Sequence, residues 1–276
     1  MKKNIPCLLW VILIMAVVIT SCSKEVTPEP AVSNNAGISF YNASYAVRKE
    51  TNIGINFILI DSKDTTYKPI SDLSYVKYPY FYNSEQYGYA FPILNRTQWI
   101  QHMRLPAGNH QLYLLDTARF VLDSSQVTLR DQRPVDVFYG DKYGQMKTLL
   151  LDDIFTPSAD AAGVRIVNLS PSDKRVYLTV NGDVPASFPK DTYFGDHTAF
   201  LPVPVTGLDT LKIKVYAQGD DGSVMTRNSV EVLPGHAYTL VITGYDNDAP
   251  PSYKDPRTGI TVGINSAFSI TPIKNY

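Results

Sequence analysis

Cysteine is almost missing from this chain: there are two in 276 residues, Cys7 and Cys22, and none after them. The body of the protein therefore has no disulfide framework, no thiolate metal site and no cysteine nucleophile. A charge excess of either sign is missing too. Lys and Arg number 25 against 26 Asp and Glu, the formal net charge is -1, and no lysine–arginine run occurs. A nucleic-acid partner asks for a basic field, so that class is set aside. No stretch after Cys22 holds a 3.6-residue apolar stripe over three turns, which removes helical folds. The Gly-rich phosphate loop, the Gly-x-Ser-x-Gly elbow and the His-Glu-x-x-His helix are absent, and no motif asks for a cofactor. Sixteen glycines and 19 prolines are too few for a collagen-like or low-complexity chain. What is present is a composition 44% hydrophobic and 18% charged, with 19 tyrosines. It can bury a core, and its length suits one large domain or two ordinary ones.

Lys2 and Lys3 precede an apolar run over residues 5–19, and the next charge is Lys24. About 15 apolar residues fall short of the roughly 20 that span a bilayer but suit a secretory leader. The run ends in Ile19-Thr20-Ser21-Cys22, which resembles the lipobox of bacterial lipoproteins. The resemblance implies that residues 1–21 are a signal peptide. It also implies that Cys22 becomes the N-terminus, carries diacylglyceryl and palmitate chains, and partners with outer-membrane lipid. Loss of Lys2 and Lys3 would move the formal net charge from -1 to -3. The next residues, Ser23-Lys24-Glu25, are similar to short export signals of surface lipoproteins in Bacteroidota. The expected location is the cell outer membrane, with both leaflets open. Residues 22–35, with Pro28, Pro30 and two asparagines, read as a flexible tether.

Beyond the tether the pattern is β. Ile53-Gly54-Ile55-Asn56-Phe57, Val176-Tyr177-Leu178-Thr179-Val180, Leu211-Lys212-Ile213-Lys214-Val215 and Tyr238-Thr239-Leu240-Val241-Ile242 alternate with period two. That period puts one face on a core and the other toward water. Asn181-Gly182, Asp221-Gly222, Pro106-Ala107-Gly108 and Pro234-Gly235 supply the turns. The chain also repeats itself. Ala36 to Ser44 matches Ala162 to Ser170 at an offset of 126, and Val135-Asp136-Val137 matches Tyr238-Thr239-Leu240 at an offset of 103. The lost residues mark an insertion in the first half, placed near the tyrosine-rich residues 75–91. The expected fold is all-β, with two tandem antiparallel β-sandwich domains at 36–158 and 159–276.

Leu149-Leu150-Leu151-Asp152-Asp153, Pro157, the segment from Ala162 to Pro171, and Val180-Asn181-Gly182 together resemble the repeat of domain of unknown function 4397. The resemblance implies immunoglobulin-like or transthyretin-like sandwiches on exported bacterial proteins, and it supplies no catalytic residues. It covers the second half well and the first mainly around residues 36–44.

Two features could carry chemistry. Tyr78-Pro79-Tyr80-Phe81-Tyr82 and Tyr87-Gly88-Tyr89-Ala90-Phe91 flank Asn83-Ser84-Glu85-Gln86. As a hairpin with that four-residue loop, Tyr78, Tyr80, Tyr82, Tyr87, Tyr89 and Phe91 would share one face. Such a face could stack on a glycan or anchor an envelope protein, or it could pack on the sandwich. Acidic pairs occur at Asp152-Asp153, Asp220-Asp221 and Asp246-Asn247-Asp248, where Asp246 and Asp248 are the calcium candidates; acids of this kind also build turns. The histidines His102, His110, His197 and His236 share no ligand spacing. The reading is a non-enzymatic, lipid-anchored envelope protein acting in binding or structure. One alternative is a fimbrillin-like pilin or adhesin subunit, which would donate a terminal strand from residues 260–273. Another is a glycan-active enzyme, which needs two carboxylates converging in a cleft.

Overall fold

The computed structural model describes residues 35–44, 55–61, 80–83, 90–91, 99–115, 120–265 and 267–275. The leader, the lipobox and Cys22 lie outside these residues. Residues 34–276 form one compact unit. Among the described residues every regular element is a strand, and no helix is long and apolar enough to cross a membrane.

The first half is two facing sheets. One runs β4 (Ala90–Phe91), β1 (Asn35–Asn42), β8 (Val135–Lys142) and β9 (Gln145–Asp152), with β5 (Met103–Pro106) also on β1. The other runs β3 (Tyr80–Asn83), β2 (Ile55–Ile60), β6 (Gly108–Leu115) and β7 (Val121–Leu129). Ile38, Phe40, Val137 and Tyr139 from the first meet Ile58, Leu112, Leu114 and Val127 from the second in one core.

The second half repeats the plan. Its sheets are β12 (Leu201–Pro204), β10 (Ala161–Asn168), β15 (Ala237–Thr243) and β18 (Ser269–Lys274), against β11 (Val176–Val180), β13 (Asp209–Ala217) and β14 (Val224–Val232). A small hairpin of β16 (Ser252–Lys254) and β17 (Thr261–Gly263) is added. Val164, Ile166, Leu178, Ile213, Val215 and Leu240 fill this second core.

Strand register carries the offsets seen in the sequence. Ile38 pairs with Val135 in the first half, and Val164 pairs with Tyr238 in the second. Those two pairs differ by 126 and 103 residues, as the sequence matches do. Both pairings are parallel, a departure from the purely antiparallel expectation. The Asx turns match too: Asn42 Oδ1 accepts from the Ser44 N–H at 2.9 Å, and Asn168 Oδ1 accepts from the Ser170 N–H at 3.0 Å. Asn181 and Gly182 form the two-residue turn expected of them, both at positive φ (55° and 106°).

The period-two reading needs one correction. In β1, β8, β10 and β15 both faces are buried, because the face expected in water meets the other half. Tyr41, Ala43 and Phe138 pack there against Val167, Leu169, Val241 and Ile273 in a third apolar cluster. Parallel strands covered on both faces are the usual outcome of that burial.

A second correction concerns the tyrosines. β3 pairs with β2, and β4 pairs with β1. The described parts of the two arms therefore join different sheets, where a local hairpin would pair the arms with each other. Non-local partners with apolar alternation outcompete the short local loop. Tyr78, Tyr87 and Tyr89 lie outside the described residues; for Tyr80, Tyr82 and Phe91 the backbone pairing is what is described. The C-terminal segment is also accounted for: β18 pairs along six residues with β15 of its own sandwich, burying Ile270 and Ile273.

Candidate functional site

Two polar constellations stand out, one at the seam between the halves and one at a loop end. At the seam, alternation along β8 and β10 sends Asp136 and Arg165 away from their own cores and toward each other. Arg165 Nη2 donates to Asp136 Oδ2 and lies 3.7 Å from Asp153 Oδ1. Its Nε donates to Thr239 Oγ1 at 3.0 Å. The guanidinium lies between two rings, with its carbon 4.6 Å from the Phe200 centroid and 5.7 Å from that of Phe138. Ser39 Oγ donates to Asp136 Oδ1, and Asn275 Nδ2 donates to Asp153 Oδ1 at 3.1 Å. His102 Nε2 lies 2.9 Å from Asp136 Oδ1 and 3.5 Å from Asp153 Oδ2.

Charge state follows from these contacts. Burial opposes ionisation of Asp136, but Arg165, His102 and Ser39 outweigh it and hold its carboxyl below the usual range. Asp153 goes the other way: burial and the neighbouring Asp136 charge push it up to about 6. Burial would lower the His102 imidazole, yet its hydrogen bond to Asp136 and the field of both acids raise it. Sequence reading treated His102 as isolated; the fold gives it two carboxylates.

His102, Asp136 and Asp153 offer ligand atoms within 4.8 Å of one another, the spacing of a metal centre. The chemistry does not fit. Arg165 already serves both carboxylates as their cation, and a divalent ion would face a guanidinium that cannot deprotonate. The cluster is the polar lock of the seam.

The second constellation is a cleft of about 380 Å³ lined by Lys174, Asp220, Val224, Met225, Asp246, Asp248 and Phe268, among others. It forms where four segments end together: the stretch before β11, the β13–β14 connection, the segment after β15, and the residues that lead into β18. Loops at one end of a sandwich are free to diverge while the strands hold them in place. Lys174 Nζ sits 2.7 Å from Asp248 Oδ2 and 3.3 Å from Asp220 Oδ2. Those two hydrogen bonds, that to Asp248 first, raise the lysine above its ordinary value. Asp246 is buried. Its Oδ2 accepts from Ser172 Oγ and its Oδ1 from the Asp248 N–H at 3.1 Å.

This geometry answers the calcium expectation for Asp246 and Asp248. The Lys174 ammonium bridges Asp248 and Asp220, and Asp246 accepts from Ser172 and the Asp248 N–H, so each candidate carboxylate already has a partner within the protein. Asp152 and Asp153 separate by alternation, the first exposed and the second buried. The histidines resolve individually. His236 Nδ1 lies 3.0 Å from the Pro234 carbonyl, the turn role read for it. His110 bridges Asp61 and the Pro106 carbonyl, each at 2.7 Å. Sequence reasoning missed Lys174 and Phe268, which sit far from the acids along the chain and carry no motif.

No protein-family model matches this chain, and no curated protein sequence does. Two solved structures are similar in outline. One is a streptococcal virulence factor described for alpha-glucan binding, at 10% identity, covering 77% of this chain and 94% of that one, with a TM-score of 0.22. The other is a candidate cell-adhesion protein from Parabacteroides distasonis, at 10% identity, covering 87% and 99%, with a TM-score of 0.21.

Proposed function

We propose that this chain is a non-enzymatic binding module of the bacterial cell envelope, held in the outer membrane through lipid on Cys22, with the Lys174 cleft as its ligand seat. The observation that carries the reading is the mixed lining of that cleft. An ammonium, exposed carboxylates and the Asn247 amide border half-buried Phe268 and Met225. Polar groups of this kind bond hydroxyls, and an apolar wall suits the C–H face of a sugar, so a glycan is the proposed ligand.

The rival enzyme reading needs one carboxyl free to give a proton and another to accept one. Asp220 and Asp248 accept instead from the same ammonium, and Asp246 serves Ser172. That occupancy supports binding over catalysis.

The test has two arms. On a glycan array, the wild-type protein should retain a ligand that Lys174→Ala and Asp248→Ala lose by tenfold or more. Release of reducing sugar from that ligand, or binding unchanged in both variants, would defeat the reading. Separately, Cys22→Ala should leave the outer-membrane fraction without detergent.

A further inference from the structure

The sheet of β11, β13 and β14 turns one face to its core and the other outward. On the outward face Tyr177 pairs with Tyr216, Thr179 with Lys214, Lys214 with Arg227, and Lys212 with Ser229. The two tyrosine rings stack with centroids 5.2 Å apart and planes 14° from parallel. Lys214 and Arg227 are like charges placed directly opposite, an arrangement that costs a sheet stability. Neither they nor Lys212 makes an ion pair or side-chain hydrogen bond among the described residues. Thr179 Oγ1 is buried on this same face with no hydrogen-bond partner among those residues.

The fold itself does not ask for these cations, because the first half solves the same geometry without them. Tyr113 opposite Ser124 matches Lys214 opposite Arg227, and Gln111 opposite Gln126 matches Lys212 opposite Ser229. There the polar groups satisfy each other. Gln111 Nε2 donates to Ser124 Oγ at 2.9 Å, and Thr128 Oγ1 donates to Asn109 Oδ1 at 2.7 Å. The second half has replaced neutral, mutually bonded groups with three uncompensated positive charges beside an aromatic pair.

We propose that this outward face binds an acidic polysaccharide. Lys212, Lys214 and Arg227 meet its carboxylate or sulfate groups, and Tyr177 and Tyr216 meet its ring faces. From Lys212 to Tyr216 the strip runs about 13 Å at roughly 3.3 Å per residue, which accommodates a short stretch of sugar chain. Charge complementarity selects an anion, and Glu231 opposite Thr210 closes the strip at its far end. Stacked phenols with hydroxyl tips suit pyranose faces better than the hydrocarbon of a bilayer. A strip of three cations on a chain of net charge -1 is far narrower than the basic field a nucleic acid asks for. The face meets the Lys174 cleft at Val224, which lines the cleft and pairs with Tyr216, but Lys212, Lys214 and Arg227 lie outside the cleft lining, and the occupant does not depend on lipidation.

The experiment uses the full-length protein in detergent, with the variant Lys212→Gln/Lys214→Gln/Arg227→Ser, which borrows two side chains from the first half. A heparin octasaccharide and an oligogalacturonate are the anionic probes, maltoheptaose is the neutral control, and phosphatidylglycerol vesicles and a DNA duplex are the rival polyanions. Binding of at least one anionic glycan should weaken tenfold or more in the variant and fall with added salt, while the melting temperature holds or rises. Tyr177→Ala/Tyr216→Ala should weaken the same ligand. Equal affinity of wild type and triple variant overturns the proposal, as does failure of both anionic glycans to bind at low salt. A preference for vesicles or duplex over both glycans overturns it as well.

Discussion

Compared position by position, the two halves agree where strands pair and disagree where the same strands look outward. Ser39 and Asp136 of the first half occupy the places of Arg165 and Thr239 in the second, by the register of β1 with β8 and of β10 with β15. Had both copies kept either set, the seam would face acid with acid or guanidinium with guanidinium. By diverging, one copy supplies the carboxylate and the other the cation, and the pair closes across the seam. The outer faces diverged in the opposite sense. The first half neutralised its polar positions internally, and the second left charges unmet. The repeated plan thus has one half that is chemically quiet outside and one that is not.

The largest expected effect tests the seam. Arg165→Ala should destabilise the protein by about 3–5 kcal/mol, because it strands Asp136 and its neighbour in a buried site. Chemical denaturation measures this, and Arg165→Leu with Asp136→Leu should recover most of the loss. A cost below about 1 kcal/mol for the single change would show that the lock contributes little.

Matched glycines sharpen the comparison. Gly163 lies under the Phe155 ring, and Gly37, its counterpart on β1, lies under His102, whose Cβ would be 2.9 Å from an added methyl. Alanine at either place should cost about 1–3 kcal/mol by overpacking. Gly163→Ala should be the worse, since Phe155 is also set edge-on to Phe200. Equal melting temperatures for wild type and both variants would refute this.

Proton binding at the seam gives a smaller, signed effect. Asp153 keeps its proton to about pH 6 when folded against 3.8 for an ordinary aspartate. His102 is raised above 6.5. In both cases the folded chain is the better proton binder, so stability falls as pH rises through these windows. Asp136, held low, has the opposite sign and costs stability as pH drops through its folded value, below 3.8. The melting temperature should therefore be higher at pH 5 than at pH 8 and decline again below about pH 4. Asp153→Asn should flatten the slope between pH 5 and 6, and an unchanged slope would refute the assignment.

The smallest effect belongs to the cleft. Lys174→Met removes a pair largely open to solvent and should change stability by about 0–1 kcal/mol, so any large change in ligand binding is local. A shift of several kcal/mol would make Lys174 a structural residue.

Much of the fold was legible because period two and turn chemistry act locally. The alternation in Val176–Val180 and the Asn181-Gly182 turn need no distant partner to be recognised. The offsets of 126 and 103 were legible because paired strands must preserve register. The seam was not legible: alternation says that Ser39, Tyr41 and Phe138 leave their own core, but not whether water or another sheet receives them. The tyrosine arms were misread for a related reason, since closeness in sequence favoured a local hairpin while β1 and β2 supplied better partners. The cleft depends on Lys174 meeting Asp220, 46 residues away, a distance at which spacing carries no signal. The basic strip was invisible for a simpler reason. Lys212, Lys214 and Arg227 form no run along the chain and become neighbours only through the β13–β14 register.

Trp99 has a practical consequence. It bridges in parallel to Lys274 of β18, and the next residue, Ile100, donates its N–H to the Lys274 carbonyl at 2.6 Å. The first half thereby laps over an edge of the second. The indole lies 5.8 Å from the His236 ring and 5.9 Å from the Lys274 ammonium. The sequence holds only one other tryptophan, Trp10, in the segment read as the leader. In a chain processed at Cys22, emission excited at wavelengths too long for the 19 tyrosines to absorb comes from a single indole at the joint between the halves. Opening of that joint can then be followed by its spectral shift without a label, and distinguished in time from melting of either sandwich.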